Sequence, residues 1–240
     1  MSRVFACSDL HGQYNLWKQI KEYCEEDDTI FFLGDAIDRG EDNLQTLIEL
    51  LEDKRVIFLK GNHEAMLQDN YKEIFSNGFS PSLWLWECNG GENSIKAFKK
   101  MSLEKRKWLI DKIKNLPTFA FYKNDKGQTI YLSHAGGMAG YPQDENDRIW
   151  DRSHFNDSWD EKEYPNHVSV HGHTPVQSLL TFLNFEQSKE RAINPIIVKY
   201  ANNHKIDIDL GTFATHKVAL LDLDTLEPIY FTQKEEKTNE

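Results

Sequence analysis

The sequence has few of the features expected of a secreted, membrane-spanning or nucleic-acid-binding protein. It holds only three cysteines, Cys7, Cys24 and Cys88, with no CxxC pair, which predicts reduced thiols, buried as small apolar side chains, in a cytoplasmic protein. No apolar run reaches membrane-spanning length and no secretory signal pattern opens the chain, so no membrane partner is expected. Only 28 basic residues stand against 39 acidic ones, and the formal charge of −11 disfavours attachment to nucleic acid.

What the chain does contain is typical of one globular unit. Its 240 residues, 39% of them apolar, suffice for a substantial core, and no repeat or low-complexity linker interrupts them. The sequence therefore predicts a single domain over residues 1–232, including a mainly helical, insert-like region at 65–127. Residues 233–240 form a charged tail that is expected to be disordered. A monomer is the first expectation, with an oligomer left open.

Apolar patterning alternates between strands and helices in the first part of the chain. Short apolar runs at 3–7, 29–33 and 56–59 are separated by helical stripes at 16–23 and 44–51, which predicts βαβ units and a largely parallel sheet. Later in the chain, closely spaced apolar runs predict a second sheet, with strands at 129–132, 167–170, 205–208, 218–221 and 229–231. The expected fold is α/β.

The helical region between the two sets of strands offers fewer functional indications. Helix-breaking residues occur at Ser80-Pro81-Ser82 and at Asn89-Gly90-Gly91. The basic run from Lys96 to Lys114 is interpreted as the solvated face of one helix. The aromatic segment 84–86 is expected either to pack in the core or to wall a substrate cleft. Four histidines match no motif and are interpreted as ordinary surface or loop residues: His154, His167, His204 and His216.

Polar residues that bind metals follow five of the predicted strands. They are Asp9 and His11, Asp35 with Asp38 and Arg39, Asn62 with His63, His134, and His171 with His173. Because the carboxyl ends of parallel strands converge on one crevice, these side chains are expected to meet there. Carboxylates, imidazoles and a carboxamide suit Mn²⁺, Zn²⁺ or Fe, and a shared carboxylate would hold two ions about 3.5–4 Å apart.

The five segments resemble, in order, the motifs of the calcineurin-like metallophosphoesterases, in particular the bacterial and bacteriophage members of the serine/threonine phosphatase branch. The matching motifs are SDLHG at 8–12, GDAIDRG at 34–40, GNHE at 61–64, HAG at 134–136 and GHTP at 172–175. The resemblance spans roughly residues 4–224. It implies a four-layer α/β/β/α sandwich of two mixed sheets flanked by helices.

The resemblance also implies a role for each matching residue. The first metal ion would be held by Asp9, His11 and Asp35, and the second by Asp35, Asn62, His134 and His173. The catalytic pair would be His63, the general acid, and Asp38, which orients it. The substrate phosphate would be bound by Arg39, Arg152 and Asn62. The implied cofactors are two divalent ions, Mn²⁺ first, with Fe, Zn, Ni or Co as alternatives.

Several alternatives stay open on the sequence alone. The implied activity is hydrolysis of phosphomonoesters, on a phosphorylated protein or a small phosphoester, by in-line attack of a hydroxide between the metals. A symmetrical diadenosine tetraphosphate hydrolase shares these motifs, and a catalytically inactive scaffold of the same fold is a remote alternative. The acidic run at 143–147 favours the phosphatase, because a polyphosphate needs extra cations. His171 is expected to support the metal site without binding the metal.

Overall fold

Two five-stranded sheets organise the protein, seen in a computed structural model that describes residues 2–137, 144–156, 159–183 and 194–233. The strands within these ranges are β1 (Val4–Cys7), β2 (Thr29–Phe32), β3 (Val56–Phe58), β4 (Phe119–Lys123), β5 (Thr129–Ser133), β6 (His167–His171), β7 (Val198–Tyr200), β8 (Lys205–Asp207), β9 (Lys217–Asp222) and β10 (Pro228–Thr232). The α-helices are α1 (Tyr14–Tyr23), α2 (Asn43–Glu52), α3 (Asn62–Asn70), α4 (Pro81–Trp86), α5 (Glu92–Lys100), α6 (Leu103–Lys114), α7 (Glu145–Trp150), α8 (Val176–Phe182) and α9 (Thr212–Thr215).

Both sheets are mixed, and each contains three adjacent parallel strands. The first has the order β10-β9-β1-β2-β3, in which β1, β2 and β3 are parallel and β9 is antiparallel to both of its neighbours, β1 and β10. The second has the order β4-β5-β6-β8-β7, with β5, β6 and β8 parallel and an antiparallel strand at each edge. The expected arrangement of two mixed sheets flanked by helices is confirmed. The prediction that the last two strands belong to the second sheet is wrong, because β9 pairs with β1 and extends the first sheet.

Side-chain alternation along the first sheet divides the apolar core in two. On β1, Phe5 and Cys7 pack with the helices α1, α2, α3 and α6, whereas Ala6 faces the second sheet. The same alternation separates Phe32 from Phe31 on the neighbouring strand, as expected for a strand buried on both faces. The first sheet is therefore the central layer against which both the helices and the second sheet pack.

Parts of the helical region differ from the expectations. Phe119–Lys123 is a strand inside the region expected to be mainly helical, and its residues pair with Thr129–Ser133 at the edge of the second sheet. The basic run 96–114 is two helices, because Met101 and Ser102 interrupt it and Ser102 caps the second one. The two strands form a hairpin closed by residues 124–128, so the turn residues Asn124-Asp125-Lys126-Gly127 were a local signal for this strand.

Individual side chains also depart from expectation. Cys7 and Cys24 are buried, but Cys88 is exposed, and all three are free thiols. His154, expected at the surface, is 3% exposed, because its Nε2 shares a hydrogen bond with the carbonyl of Ala135. The three-residue strand β7 was not expected either. In the tail, residues 234–240 lie outside the described ranges, and no helix within those ranges combines the length and apolarity needed to cross a membrane.

Candidate metal centre

Loops at the carboxyl ends of five strands converge on one point between the sheets. Backbone hydrogen bonds tie these loops together: the N–H of Asp9 donates to Gly34 at 3.0 Å, that of His11 to Asp35 at 3.0 Å, and that of Gly172 to His134 at 2.9 Å. The last of these pairs links two strand ends of the second sheet. The convergence that parallel topology predicts is therefore built from direct contacts between the loops.

The backbone adopts a left-handed conformation at much of this site. Six residues there have positive φ angles: Asp9 (52°), His11 (44°), Asp35 (60°), Asp38 (73°), Arg39 (66°) and His173 (68°). Non-glycine residues rarely adopt such angles, because the side chain then crowds the backbone, and such strain clusters at functional sites. The surrounding hydrogen bonds hold the loops in conformations that aim these side chains at a common point.

Asp35 lies at the centre of the cluster. Its Oδ2 is 3.8 Å from Nε2 of His11, 3.7 Å from Nε2 of His63 and 3.4 Å from Nε2 of His134. Two groups of three residues could each hold a metal ion, His11 with Asp35 and His63, and Asp35 with His134 and His173. Asp35 is common to both groups, and every member of them is buried.

Two histidine tautomers follow from backbone contacts. The Nδ1–H of His11 donates to the carbonyl of Ile37 at 2.8 Å, and that of His134 donates to the carbonyl of Leu33 at 2.7 Å. Because a carbonyl only accepts, Nε2 of each ring presents a lone pair when the imidazole is neutral. This arrangement, in which the second ring nitrogen is fixed by the backbone, is typical of metal-binding histidines.

The second half of the cluster brings together atoms that accept hydrogen bonds. Oδ1 of Asn62 lies 2.8 Å from Nε2 of His134 and 2.9 Å from Nδ1 of His173. The buried Nε2 of His173 has no hydrogen-bond partner among the residues that the structure describes. When these ring nitrogens carry no proton, their lone pairs and that of Asn62 face one another, and a cation between them would stabilise the arrangement. The donor set thus fits a divalent ion.

Electrostatics in the cluster favour positive charge beside Asp35. Burial raises the pKa of Asp35, but the neighbouring imidazoles of His134 and His63 lower it by a larger amount. The net pKa is therefore well below its ordinary value. Burial lowers the pKa of His134, whereas the charge of Asp35 raises it, with a net rise to about 9. The carboxylate is held ionised and stabilises a cation next to it.

Asp9 faces the same point from the end of β1. Its Oδ1 is 4.0 Å from Nε2 of His11, and both of its carboxylate oxygens accept from the backbone N–H of His173, at 3.3 and 3.1 Å. Ser8 donates its hydroxyl to the same carboxylate. All six residues that the resemblance implies as metal ligands are therefore brought together: Asp9, His11, Asp35, Asn62, His134 and His173.

His63 and Asp38 form a buried pair beside the cluster. Nδ1 of His63 lies 2.6 Å from Oδ2 of Asp38, so the imidazole presents Nε2 towards Asp35 and Arg39. The backbone N–H of His63 donates to Oδ1 of Asp35 at 3.0 Å, which fixes the base of the ring against the cluster. The geometry allows His63 to hold a proton at Nε2 while Asp38 stabilises the charged ring.

Two arginines flank the cluster on different sides. NH1 of Arg39 donates to Nε2 of His11 at 2.5 Å, and its NH2 lies 3.3 Å from Nε2 of His63. Arg152 donates its Nε to the hydroxyl of Thr174 at 2.9 Å. Burial lowers the pKa of Arg152, whereas the negative charges of Asp35 and other site carboxylates raise it, with a net lowering. The guanidinium of Arg152 is therefore close enough to interact with the carboxylates of the cluster.

Glu64 is a site residue whose role the sequence reasoning missed. It is fully buried, and its two carboxylate oxygens accept from the backbone N–H groups of Asp35 at 2.8 Å, Gly61 at 3.1 Å and Ala36 at 2.9 Å. Burial raises its pKa to about 7. The side chain of Glu64 joins the loops after β2 and β3. The position of Glu64 beside Asn62 and His63 in the GNHE motif was the sequence feature that could have indicated this role.

His171 lies outside the cluster. Its Nε2 shares a hydrogen bond with the hydroxyl of Tyr200 at 2.8 Å, and its ring packs against His154 and Phe155. Neither of the two groups that could hold a metal ion includes it. The ring instead fills the interior next to the loop of Gly136, which would contact the ring if it carried a side chain.

Comparison with known proteins assigns this fold and cluster to one family. Residues 2–216 match the sequence model of the calcineurin-like phosphoesterases, and the chain belongs to that family, whose members use divalent metals. Serine/threonine-protein phosphatases 2 and 1 of Salmonella typhimurium are 35% and 34% identical to it over 92 residues. Those 92 residues make up 37% of this chain and only 38% and 39% of the lengths of the two relatives.

Solved structures share the fold at low sequence identity. A candidate diadenosine tetraphosphatase superposes with a TM-score of 0.59 at 14% identity, over 98% of this chain and 95% of that one. A protein serine/threonine phosphatase from Saccharomyces cerevisiae gives 0.58 at 14% identity, over 99% and 82%. A cold-active protein-tyrosine phosphatase from a Shewanella species gives 0.56 at 17% identity, over 96% and 77%. At these identities the likeness shows the architecture alone.

Proposed function

We propose that the protein is a dinuclear metal-dependent phosphatase that hydrolyses phosphomonoesters, with phosphoserine and phosphothreonine as its preferred substrates. The single observation that carries this proposal is the position of Asp35, shared by two groups of buried ligands and lying next to the His63–Asp38 pair. A shared carboxylate and a nearby acid are what two-metal hydrolysis of a phosphoester needs.

The ligand set divides between two ions. Asp9, His11 and Asp35 would hold the first, and Asp35, Asn62, His134 and His173 the second, with Mn²⁺ as the first choice and Fe, Zn, Ni or Co as alternatives. When bound, the two ions would neutralise phosphate charge and lower the pKa of water. The chain supplies the geometry: buried oxygens and imidazoles whose orientations the backbone fixes.

His63 would protonate the leaving oxygen. Its Nδ1 is held by Asp38 at 2.6 Å, so the transferable proton sits on Nε2, the nitrogen that faces Asp35 and Arg39. An alkoxide leaving group needs such a proton, because without it the departing oxygen is strongly basic. Burial of both partners keeps water from competing for the hydrogen bond between them.

Arg39 and Arg152 would bind the oxygens of the substrate phosphate, together with the amide of Asn62. The guanidinium suits this role because its planar fork matches two phosphate oxygens. Arg39 reaches the imidazoles of His11 and His63 from one side, and Arg152 is anchored on Thr174. A phosphate bound by both arginines would have its ester oxygen close to His63, the proposed proton donor.

The charges in the cleft beside Arg39 favour a monoester substrate. A cleft of about 440 Å³ opens beside Arg39, and among its described lining residues Arg39 is the only Lys or Arg, whereas Glu41 and Asp42 are acidic. A dinucleoside polyphosphate would need further cations there, and the candidate diadenosine tetraphosphatase shows fold likeness only. The two relatives named as serine/threonine-protein phosphatases favour a phosphorylated protein, with small phosphoesters as further substrates.

The test is a side-by-side measurement of kcat/KM on phosphoserine and phosphothreonine peptides, diadenosine tetraphosphate and nucleotides. Mn²⁺ is supplied first and then removed with a chelator. We expect at least about a tenfold preference for the phosphopeptides, a difference of roughly 1.4 kcal/mol between transition states, and loss of all activity on chelation. Preference for diadenosine tetraphosphate would identify a polyphosphate hydrolase. Metal binding without turnover of any substrate would identify an inactive scaffold.

A further inference from the structure

The segment Trp86–Ser94 joins α4 to α5, and the proposed chemistry gives it no role. It holds the loop Asp38–Gly40 through one side-chain bond and three bonds to the backbone. That loop carries both the partner of His63 and one phosphate-binding arginine. The question is what this extensive contact does for the site.

The indole of Trp86 donates its Nε1–H to Oδ2 of Asp38 at 2.6 Å. The same oxygen is 2.6 Å from Nδ1 of His63, so one carboxylate oxygen accepts from both rings. Trp86 is fully buried, and Oδ1 of Asp38 has no partner among the described residues. Apart from His63 itself, the indole is therefore the side chain that restrains the rotation of this carboxylate.

Backbone contacts from the same segment hold the loop itself. The N–H of Asp38 donates to Oγ of Ser94 at 3.2 Å, and the N–H of Arg39 donates to the carbonyl of Gly90 at 2.9 Å. Nδ2 of Asn93 donates to the carbonyl of Gly40 at 3.1 Å. Asp38 and Arg39 both have positive φ angles, so these bonds fix a strained conformation from outside the loop.

Two glycines allow the segment to come this close. A Cβ on Gly91 would lie 2.6 Å from Nε1 of Trp86, and a Cβ on Gly90 would lie 2.7 Å from Cγ of Arg39. Gly90 also has a φ of +97°, which side-chain-bearing residues seldom adopt. The glycine pair Gly90-Gly91 is thus the place where backbone packs directly against the indole and the arginine.

We propose that Trp86 is a positioning residue: its indole N–H fixes the carboxylate of Asp38 and thereby the direction in which His63 presents its Nε2. The hydrogen bond is independent of the chemistry, whereas its effect on turnover rests on the proposed function. Trp86 acts through Asp38 and does not touch the substrate. Loss of the N–H should leave phosphate binding intact and slow only the step that needs the proton.

Trp86→Phe tests this, because it keeps an aromatic ring and removes the donor. We expect kcat on a phosphoserine peptide to fall roughly tenfold, a part of the 10²–10⁴-fold that a general acid contributes. KM should stay unchanged, and kcat on p-nitrophenyl phosphate, whose leaving group needs little protonation, should change less than about twofold. The matched control is Trp84→Phe, two residues earlier and 55% exposed, which should match wild type on both substrates.

A spectroscopic measurement tests the hydrogen bond without any turnover. In a ¹⁵N-labelled protein, the indole N–H resonance absent from Trp86→Phe should lie downfield and exchange slowly with solvent. Asp38→Ala should move it upfield and leave the Trp84 resonance in place. A resonance that does not respond to Asp38→Ala would overturn the proposal.

The outcomes separate the two proposals. Wild-type protein that is inactive on every phosphomonoester, with the Trp86 resonance still coupled to Asp38, overturns the proposed function but keeps the hydrogen bond. Active wild type with an equal loss of kcat on both substrates in Trp86→Phe overturns the positioning role. If Trp86→Phe does not fold, Gly91→Ala is measured in its place, because the added Cβ would displace the indole of Trp86. We expect this variant too to lose more kcat on the phosphoserine peptide than on p-nitrophenyl phosphate.

Discussion

The two sheets contribute unequally to the metal centre. Loops after β1 and β2 of the first sheet supply the three carboxylates of Asp9, Asp35 and Asp38, all of them buried. Loops after β5 and β6 of the second sheet supply only imidazoles, those of His134 and His173. Among the implied metal ligands, carboxylates therefore come only from the first sheet, although the second sheet carries the buried Asp209 after β8, whose charge raises the pKa of Asp9.

Backbone strain follows the same division. Five of the six left-handed site residues belong to loops of the first sheet, and only His173 belongs to the second. Glu64 joins two of the first-sheet loops through hydrogen bonds. Trp86, in the helical region, donates a further hydrogen bond to Asp38 in one of these loops. The first sheet supplies the carboxylate shared by both groups of ligands, so removal of that charge should have the largest effect.

The largest effect is expected from Asp35→Asn, which removes the shared charge. Both ions would lose a ligand, and the loss in metal affinity should exceed the roughly 10–100-fold typical of residues that only support a ligand. We expect turnover to fall below detection. Metal content after gel filtration and kcat on a phosphopeptide measure the two effects. The control is the exposed Asp27→Asn, which should retain metal and activity. An active, metal-loaded Asp35→Asn protein would contradict the comparison at its centre.

The second largest effect is expected from His63→Asn, at the start of α3 after β3. The variant should retain both ions, because the six proposed ligands do not include His63, but lose about 10²–10⁴-fold in kcat on alkyl phosphates. The loss on aryl phosphates should be much smaller. Kinetics on a series of leaving groups, with metal content measured in parallel, provide the test. An equal loss across the series would mean that His63 does not supply the proton.

A pair of variants compares the two sheets directly. His11→Ala leaves two carboxylates, Asp9 and Asp35, at the first ion, so we expect only about a tenfold loss of its affinity. His173→Ala leaves the second ion one shared carboxylate and two neutral ligands, and about a 100-fold loss is expected. Mn²⁺ titration calorimetry distinguishes the two. The control is His204→Gln, since His204 stacks on Trp159 and belongs to neither group. The reverse order of affinities would break the division of charge between the sheets.

The first sheet and its ligands could be predicted from the sequence because their signals are local. Each apolar run there ends within a few residues of its ligands, and the topology of βαβ units dictates where they meet. The family resemblance then assigned roles, and the structure places those side chains together. The edge strand Phe119–Lys123 was missed although it forms a local hairpin with β5, and the turn residues Asn124-Asp125-Lys126-Gly127 between the two strands were the available signal.

The contacts that hold the site in place were harder to predict. Trp86 lies in an aromatic segment whose neighbours, Trp84 and Leu85, are more than half exposed, so the sequence could not tell which side chain is buried. Its bond to Asp38 spans 48 positions of the chain. Likewise His154 looked like a loop residue, and only the packed structure shows it buried against His171. Such long-range hydrogen bonds leave no periodic pattern.

The smallest effect is expected from Tyr200→Phe, at the edge strand β7 of the second sheet. Loss of the hydroxyl leaves Nε2 of buried His171 without this partner, which should cost about 1–3 kcal/mol of unfolding free energy. Because His171 lies outside both metal groups, metal stoichiometry and kcat should not change. Urea unfolding and metal analysis measure the two quantities. A loss of metal would mean that His171 acts on the site after all, and the second sheet would then contribute more than imidazoles.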